Sequence, residues 1–240
     1  MTAFLSAEDK LMAVYAIADL HLSFGTDKPM DVFPGWTNYT ERIRQNWQKL
    51  VTPNDTVVIA GDISWAMNLN DIDNDFRFIN NLNGKKIILK GNHDYWWTTK
   101  AKMDRYISDN GFDTISILHN NYYVADGTAI CGSRGWFYDA EADADKLILN
   151  REVGRIRLSV EPALKAGYDP VVFLHYPPIY NNIECDEIMS VLKEYRIKKC
   201  FYGHIHGGNA AKRAFIGEKD GIQFKLIACD YIGFVPMAIK

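Results

Sequence analysis

Histidine is concentrated in four short motifs of this chain, and most of these motifs directly follow a short apolar run. Five of the six histidines belong to them, and the motifs are, in chain order, Asp19-Leu20-His21, Gly91-Asn92-His93-Asp94, His175 and Gly203-His204-Ile205-His206. A further polar pair, Gly61-Asp62, follows an apolar run between the first two motifs. Because ligands bind at the carboxyl ends of the strands in open α/β sheets, this repetition favours a fold in which several strand ends meet at one polar site.

Apolar runs of strand length alternate with helical periodicities in the first half of the chain. The predicted strands, each of which ends at or beside a motif, are residues 14–18, 56–60 and 86–90. Apolar residues at helical spacing predict helices within residues 43–50, 69–79 and 98–110. This alternation is typical of layered α/β proteins, and we expect a single domain over residues 1–240.

Shorter elements are predicted in the second half of the chain. The strands are residues 115–118, 122–124, 128–131, 171–174 and 200–202. Helices are predicted at residues 143–166, with Gly154 and Pro162 as candidate interruptions, and at residues 187–195. Residues 214–216 and 222–228 have the pattern of a hairpin around Lys219-Asp220-Gly221.

Composition argues against several classes of protein without excluding a nuclease. Nearly half of the residues are hydrophobic (48%) and the net charge is −3, so we expect a packed core and no basic groove for nucleic acid. No segment approaches the ~20 apolar residues of a membrane helix, and the first ten residues lack a secretory pattern. The scattered cysteines are expected to be buried reduced thiols, which favours a cytoplasmic protein; they are Cys131, Cys185, Cys200 and Cys229.

The polar motifs carry the ligand types of a dinuclear metal site. Two divalent ions about 3.5–4 Å apart can bind a phosphoester and lower the pKa of a bound water, which then attacks as hydroxide. The two ions need a bridging anion, and Asp62 is the natural candidate because the Gly61 turn lets it approach both. Asp19 and His21 are two residues apart and should share one face of an extended chain, as should His204 and His206. A nitrogen and oxygen ligand set without cysteine favours manganese, iron or zinc.

His93 is expected to have a different role from the other motif histidines. It lies between a potential ligand, Asn92, and an acid, Asp94. An imidazole that a carboxylate holds beside the metal ions, but off them, would stay partly protonated. It could then donate a proton to the leaving oxygen.

With these motifs in this order, the sequence resembles the calcineurin-like metallophosphoesterase superfamily from Asp19 to His206. The resemblance implies an α/β fold, the αββα four-layer sandwich, with a dinuclear centre. It implies that one metal is held by Asp19, His21, Asp62 and His206, and the other by Asp62, Asn92, His175 and His204. It also implies that His93 is the acid or transition-state stabiliser and that Asp94 orients it.

The chain departs from the superfamily at the second motif. Many members have Gly-Asp-x-x-Asp there, whereas this chain reads Gly61-Asp62-Ile63-Ser64-Trp65. The second aspartate usually lies outside the metal ligands, so its absence affects local support and substrate choice rather than metal binding. Aromatic residues beside the motifs, such as Trp65, are expected mainly in the core or in the wall of the site.

Two features outside the motifs are further candidates. Arg134, in Gly132-Ser133-Arg134-Gly135-Trp136, is a candidate phosphate clamp because a guanidinium matches phosphate with paired donors. The loop of residues 22–37 follows the first motif, and its length favours a lid. His119 is expected to be an ordinary loop or surface histidine.

The favoured function is a metal-dependent phosphohydrolase acting on a phosphomonoester or small phosphodiester. The first alternative is a non-catalytic scaffold with the same fold, which would usually have lost the acid histidine or several ligands, and here all are present. The second is a nuclease, for which no basic run is found. A phosphoprotein substrate is disfavoured because the related phosphatases generally carry arginines right after the second and third motifs. At those places this chain has Ile63-Ser64-Trp65 and Tyr95-Trp96-Trp97. The sequence predicts neither the natural substrate nor the oligomeric state.

Overall fold

A computed structural model of the protein describes residues 12–136 and 143–240, with the side chains of residues 143 and 144 excepted. The N-terminal stretch without a secretory pattern and the polar stretch of residues 137–142 lie outside the described residues. Within the described residues, no helix is both long and apolar enough to cross a membrane.

The first sheet contains the strands that carry the first three polar motifs. Its strands are β1 (Val14–Ile17), β2 (Thr56–Ala60), β3 (Lys85–Leu89), β4 (Ile115–Ile117) and β13 (Met237–Ala238). Their order is β13-β1-β2-β3-β4, and β1 to β4 are parallel whereas β13 is antiparallel to β1. The carboxyl ends of β1, β2 and β3 therefore lie side by side.

The second sheet carries His175 and the last histidine motif. Its strands are β5 (Tyr123–Ala125), β6 (Thr128–Ser133), β7 (Asp169–Leu174), β10 (Lys199–Tyr202), β11 (Gly217–Lys219) and β12 (Ile222–Leu226). Their order is β11-β12-β10-β7-β6-β5, with β6, β7, β10 and β12 parallel. The short strands β8 (Ile179–Tyr180) and β9 (Ile183–Glu184) pair only with each other among the described strands.

Helices cover the outer face of each sheet. They are α1 (Tyr39–Leu50), α2 (Asp73–Asn80), α3 (Lys100–Asp109), α4 (Asp143–Lys165), α5 (Asp186–Glu194) and α6 (Gly208–Ala211). Buried residues of α1, α2 and α3 pack with one face of the first sheet, and those of α4 and α5 pack with one face of the second.

A third apolar cluster lies between the two sheets. It includes Ala16 and Val58 from the first sheet and Ile130, Phe173 and Phe201 from the second. Side chains alternate between the two faces of a strand, so the neighbours of these residues face the helices instead. The result is helix, sheet, sheet, helix, which confirms the predicted four-layer αββα architecture.

Two predicted elements differ in detail. Helix α4 runs without a break through Gly154 and Pro162, because Ile156 and Val160 pack it onto the second sheet. The hairpin was predicted to begin at residues 214–216, which is wrong, since its first strand is Gly217–Lys219. The turn contains only Asp220 and Gly221, whose φ values of 53° and 74° suit a two-residue hairpin turn.

Candidate metal centre

Backbone hydrogen bonds join the loops that follow β1 and β2. Asp19 N donates to the Gly61 carbonyl (3.0 Å), and His21 N donates to the Asp62 carbonyl (2.9 Å). The side chains of Asp19, His21 and Asp62 are all buried. The pairing of the two loops therefore places three candidate ligands in one buried region at the end of the sheet.

Glycine is required where the loops after β2 and β3 meet. A Cβ atom on Gly91 would lie 2.1 Å from both N and Oδ1 of Asp62. A Cβ atom on Gly61 would lie 2.7 Å from Gly91 Cα and from His175 Nδ1, and the φ of Gly61 is +87°. No larger residue fits at this approach without moving the backbone, so both glycines set the position of the Asp62 carboxylate.

The ligand motifs are not extended, which corrects the sequence-based expectation. The value of φ is 60° at Asp19, 46° at His21, 50° at Asp62 and 69° at His204, all in the left-handed region. The side chains converge because the chain curls at these residues. Hydrogen bonds between loops stabilise this left-handed backbone conformation. For example, His204 N donates to the two carboxylate oxygens of Asp19, at 3.0 and 2.9 Å.

Three candidate ligands from both sheets meet at the Asn92 amide oxygen. Asn92 Oδ1 lies 2.7 Å from His175 Nε2 and 2.9 Å from His204 Nδ1, and these two nitrogens are 3.2 Å apart. His175 Nδ1 lies 3.1 Å from the Ala60 carbonyl, to which it can donate its proton. That tautomer leaves Nε2 with its lone pair directed towards Asn92, as a metal ligand requires.

Asp62 lies between two groups of residues that could each hold an ion. The groups are Asp19, His21 and Asp62, and Asp62, His175 and His204. Its Oδ2 lies 3.7 Å from His21 Nε2, and its Oδ1 lies 3.5 Å from His175 Nε2. This shared position is what a bridging carboxylate needs.

Unpartnered buried atoms show that these residues fit a pair of divalent ions. Both ring nitrogens of His21 and the Oδ2 atom of Asp62 are buried and have no hydrogen-bond partner among the described residues. Buried polar atoms are normally satisfied, and a cation between these atoms would satisfy them. The donors are oxygen and nitrogen, which suits manganese, iron or zinc. The nearby Cys229 thiol donates instead to the Asp19 carbonyl (2.9 Å).

His206 lies at the outer side of the first group. Its ring centroid is 5.1 Å from that of His21 and 6.0 Å from that of Trp36, and the residue is half-buried. It therefore adjoins the group that contains Asp19 and His21, to which the resemblance assigns it. All the predicted ligands come together in this region.

Burial shifts the pKa of the carboxylates and imidazoles in opposite directions. Burial, reinforced by the neighbouring Asp62, raises the pKa of Asp19 well above its usual value, and burial raises the pKa of Asp62 to about 6. Burial lowers the pKa of His21, lowers that of His175 to about 3 and lowers that of His204 to about 2. The three imidazoles are thus neutral near pH 7, the form in which histidine binds metal.

Asp94 has a different set of partners from the one expected. Its Oδ1 accepts hydrogen bonds from Ile63 N (2.9 Å), Ser64 N (3.3 Å) and Trp96 Nε1 (3.0 Å), and its Oδ2 accepts one from Gly91 N (2.7 Å). These bonds tie the β2 loop to the β3 loop. The carboxylate therefore supports the ligand loops, and the expectation that it orients the His93 ring is not met by these contacts.

His93 lies at the edge of the candidate centre. Its backbone N–H donates to Asp62 Oδ1 (2.8 Å), and its Nδ1 lies 3.4 Å from the Tyr95 hydroxyl. The ring centroid is 5.7 Å from that of His21 and 4.5 Å from that of Trp65. The half-buried imidazole is therefore beside the ligands without belonging to either ion-binding group.

Trp65 stands where many superfamily members have the second aspartate. Its ring stacks on His21, with centroids 4.9 Å apart and planes inclined by 21°. Lys28 lies over the same ring at 5.0 Å. The loop after β2 is held by the Ser64 hydroxyl rather than by a second aspartate. This hydroxyl donates to buried Asp75 in a short hydrogen bond.

Arg134 is less exposed than a surface-loop arginine. Its side chain is 18% exposed, one terminal nitrogen lies 3.6 Å from Glu152 Oε1, and the guanidinium lies 4.8 Å from the Trp136 ring centre. Its carbonyl accepts hydrogen bonds from His175 N (3.1 Å) and Tyr176 N (2.9 Å). Arg134 is therefore joined to the candidate metal centre by a backbone hydrogen bond from His175.

Several supporting residues were not singled out by the sequence. The buried Tyr39 hydroxyl donates to the His21 carbonyl (2.9 Å), and Asp230 Oδ2 accepts from Gly207 N (2.7 Å). In the loop of residues 22–37, Met30 and Trp36 are buried, whereas Phe33 is exposed. None of these residues carries a local signal, because each partner is distant in the sequence or belongs to an irregular loop.

The fold and the buried ligands together define a class: an αββα sandwich with a candidate dinuclear centre at its strand ends. Residues 12–208 match the family model described as calcineurin-like phosphoesterase, and the chain belongs to this family. Family membership supports a hydrolase that acts on phosphoesters. Comparison with curated proteins gives no match.

Solved structures share the fold at low sequence identity. A protein of unknown function, AQ665 from Aquifex aeolicus, is 20% identical over 95% of each chain, with a TM-score of 0.52. The phosphopantetheinyl hydrolase PptH from Mycobacterium tuberculosis is 15% identical over 95% of each chain, with a TM-score of 0.55. The protein TT1561 of Thermus thermophilus is 11% identical over 82% of this chain and 83% of its own, also with a TM-score of 0.55. At these identities the likeness shows the fold alone.

Proposed function

We propose that this protein hydrolyses a small phosphate ester, a monoester or a diester, with two divalent metal ions as cofactors. The observation that carries the proposal is the position of Asp62, which is shared by two groups of buried candidate ligands. The buried ring nitrogens of His21, which have no hydrogen-bond partner in the described part of the chain, support the same conclusion. The proposed metals are manganese, iron or zinc.

Each ligand set would draw on both halves of the molecule. Asp19, His21, Asp62 and His206 would hold one ion, and Asp62, Asn92, His175 and His204 the other. When bound, the ions neutralise the phosphate charge and lower the pKa of a water molecule. The chain itself keeps the imidazoles neutral by burial and holds the loops in position through Asp94.

His93 is the proposed proton donor to the leaving oxygen. Its ring is half-buried at the edge of the ligand set, and its backbone N–H fixes the Asp62 carboxylate. Because the ring belongs to neither ion-binding group, its nitrogens are available for proton transfer. Proton donation of this kind typically contributes ~10²–10⁴-fold to the rate.

We propose that the protein works in a reducing compartment. All four cysteines are buried free thiols, and burial raises the pKa of Cys131 to about 12 and that of Cys185 to about 11. Disulfides are rare in the cytosol, where thiols stay reduced. We infer a cytoplasmic protein with a small phosphoester as its partner, and neither a membrane nor nucleic acid.

The test is hydrolysis of a substrate panel by enzyme loaded separately with manganese, iron and zinc. The panel contains phosphomonoesters, phosphodiesters, nucleotides and single- and double-stranded nucleic acid. Phosphopantetheine esters belong in it because one structural neighbour is named a phosphopantetheinyl hydrolase. We expect metal-dependent turnover of at least one small ester. Turnover of none by any loaded form would favour the scaffold alternative, and a preference for nucleic acid would favour the nuclease.

A further inference from the structure

An open apolar groove lies between Trp65 and part of the loop of residues 22–37. The residues that line it are Lys28, Pro29, Met30, Val32, Phe33 and Trp65, and its volume is about 330 Å³. Binding sites for small molecules typically have a volume of about 300–1,000 Å³. The groove therefore has room for a small organic group.

Trp65 connects this groove to the candidate metal centre. Its ring stacks on His21, with centroids 4.9 Å apart, and contacts the His93 ring, with centroids 4.5 Å apart. Because His93 is the proposed proton donor, the leaving oxygen of a bound ester would lie beside the His93 ring. The organic group attached to that oxygen can then extend past Trp65 into the groove.

The groove combines a buried inner wall with an exposed outer edge. Met30 is 4% exposed and Trp65 is half-buried, whereas Val32 is 72% exposed and Phe33 is 52% exposed. Single apolar side chains are often exposed on protein surfaces, but these two continue an apolar wall that reaches the metal centre. An apolar group bound in the groove would cover both side chains, and removing them from water favours binding.

The chemistry of the lining favours an apolar group over a sugar. None of the described residues that line the groove has a carboxylate, amide or hydroxyl side chain. Hydroxyl groups bound there would lose their hydration without gaining side-chain partners. The one charged lining residue is Lys28, whose Nζ lies 5.0 Å from the Trp65 ring centre. A cation beside that ring suits an ester whose other end is an anionic phosphate.

We propose that this groove binds the organic group that leaves with the ester oxygen, and that this group is a hydrocarbon chain or ring. The inference rests on the proposed function and narrows the substrate to phosphoesters of apolar alcohols. A second apolar space, of about 400 Å³, shares Met30 and Phe33 with the groove but is lined by His206 in place of Trp65. The groove is favoured over this second space because its own wall contacts His93.

The first experiment compares n-alkyl phosphates, from ethyl to hexyl, as substrates of the metal-loaded enzyme. The alcohols of this series differ little in acidity, so the apolar surface of the leaving group is what varies. We expect kcat/KM to rise about two- to fourfold for each added methylene until the groove is filled. Equal kcat/KM values along the series would overturn the proposal.

Two serine variants separate the groove from the second space. Val32 lines only the groove, and Pro34 lines only the space beside His206. Val32→Ser should lower the ratio of kcat/KM for hexyl phosphate to that for ethyl phosphate by about threefold or more, because it removes apolar surface. Pro34→Ser should leave this ratio unchanged, and thermal melting of each variant checks the fold. A lowered ratio in Pro34→Ser but not in Val32→Ser would assign the chain to the second space and overturn the proposal.

The matched control is Val235→Ser, which makes the same change at another exposed valine, 41% exposed. We expect the wild-type ratio of kcat/KM for this variant. A ratio lowered as much as in Val32→Ser would show a general effect of valine removal and would overturn the assignment to the groove.

A second experiment measures binding without turnover. Ethylphosphonate and hexylphosphonate, whose carbon–phosphorus bond is not an ester bond, are titrated by calorimetry into the metal-loaded protein. We expect hexylphosphonate to bind more tightly, and Val32→Ser to reduce the difference. Equal affinities in the wild type would overturn the proposal. If no ester is turned over but the difference in affinity remains, the proposed function fails and the groove assignment stands.

Size-exclusion chromatography of the wild type and Val32→Ser tests whether a second copy of the chain covers the groove instead. We expect both proteins to elute alike. Dimerisation that Val32→Ser abolishes, with an unchanged dependence of kcat/KM on chain length, would identify the groove as a contact between copies and would overturn the proposal.

Discussion

The His93 imidazole differs from the other site histidines in its surroundings. The rings of His21 and His175 are fully buried, whereas His93 is half-buried and lies against Trp65 and Tyr95. Its backbone N–H, and not its ring, donates the hydrogen bond to the Asp62 carboxylate. The ring can therefore be removed without removing the contact that positions Asp62.

His93→Ala should lower kcat by ~10²–10⁴-fold with metal content unchanged, because it removes a proton donor and no ligand. The measurements are steady-state kinetics on an ester with a poor leaving group and elemental analysis of the same samples. Tyr95→Phe is the control: it removes the hydroxyl near Nδ1 and keeps the imidazole, so its effect should be far smaller. Loss of metal in His93→Ala would instead identify His93 as a ligand.

Arg134→Ala should raise KM for a monoester more than for a diester, because the monoester dianion carries more charge for the guanidinium to bind. Arg134→Lys should recover part of the loss, since lysine supplies charge without the planar fork. The lysine variant also keeps a cation near buried Glu152, so melting temperatures of both variants separate recognition from stability. Wild-type KM and kcat for Arg134→Ala on every substrate would exclude a role in recognition.

Residue identity at the site was predictable, but backbone conformation was not. Asp62 and His175 follow apolar runs, and strand ends of neighbouring parallel strands must meet. The left-handed φ of Asp19 depends on bonds to the loops after β2 and β10, which lie far along the chain. The partners of Asp94 were unpredictable for the same reason, because Ile63 and Ser64 come from another loop.

At the scale of elements, Lys86 joins β3 to the end of α2. Its side chain is 0% exposed, and its Nζ donates to the carbonyls of Leu82 (2.6 Å) and Gly84 (2.8 Å), with Asn80 at 3.4 Å. These carbonyls lie just after the helix or at its end, where backbone acceptors lack helical partners. Burial lowers the pKa of this lysine to about 8.

The free energy of unfolding should depend on the protonation of Lys86 above pH 7. The unfolded chain holds this proton up to pH ~10.5, whereas the folded chain holds it only up to about 8. Between these values the unfolded state binds more protons, so stability rises with pH. From pH 7 to 9.5 the wild type should gain about 2 kcal/mol relative to Lys86→Met, as urea denaturation at the two pH values would show.

The control for this prediction is Lys85→Met, at the exposed neighbouring position in β3. Its urea denaturation should follow the wild type with pH, because an exposed ammonium loses little hydration on folding. A Lys86→Met protein with the same pH dependence as the wild type would show that burial of this lysine does not perturb its titration.

The regular elements were more predictable than the pairings at the sheet edges. Strands such as β2 and β7 are continuous apolar runs because both of their faces are covered. The edge strand β13 contains only Met237 and Ala238, too few residues to show a pattern. It is defined by its partners in β1, Tyr15 and Ala16, which lie at the opposite end of the chain.

At the scale of the whole molecule, the candidate ligands come from both sheets. Asp19, Asp62 and Asn92 follow strands of the first sheet, and His175 and His204 follow strands of the second. Ions bound between them would link the two halves of the sandwich. That the 240 residues form a single domain stays a prediction, and one cooperative transition in calorimetry would support it.

Metal loading should raise the melting temperature. At a free metal concentration of 100 times Kd, each site adds about 2.7 kcal/mol, which corresponds to roughly 5–10 °C for a chain of this size. Asp62→Asn should abolish the increase and cost both ions, because a neutral amide cannot offset the repulsion between two cations. Asp104→Asn, the same change at an exposed position, should melt and bind as the wild type. Saturation of the wild type by one ion would remove the dinuclear model.

The left-handed backbone at His21 and His204 has an evolutionary consequence. Side chains other than glycine are disfavoured in that region by about 1 kcal/mol or more, and the folded chain carries this strain whether or not it is active. Metal binding needs an imidazole at these positions, so selection for catalysis maintains histidine although glycine would relieve the strain. A related protein that no longer catalyses the reaction would be expected to acquire glycine at the positions of His21 and His204. Glycine at these positions in a related sequence would therefore mark a protein that has kept the fold and abandoned the reaction.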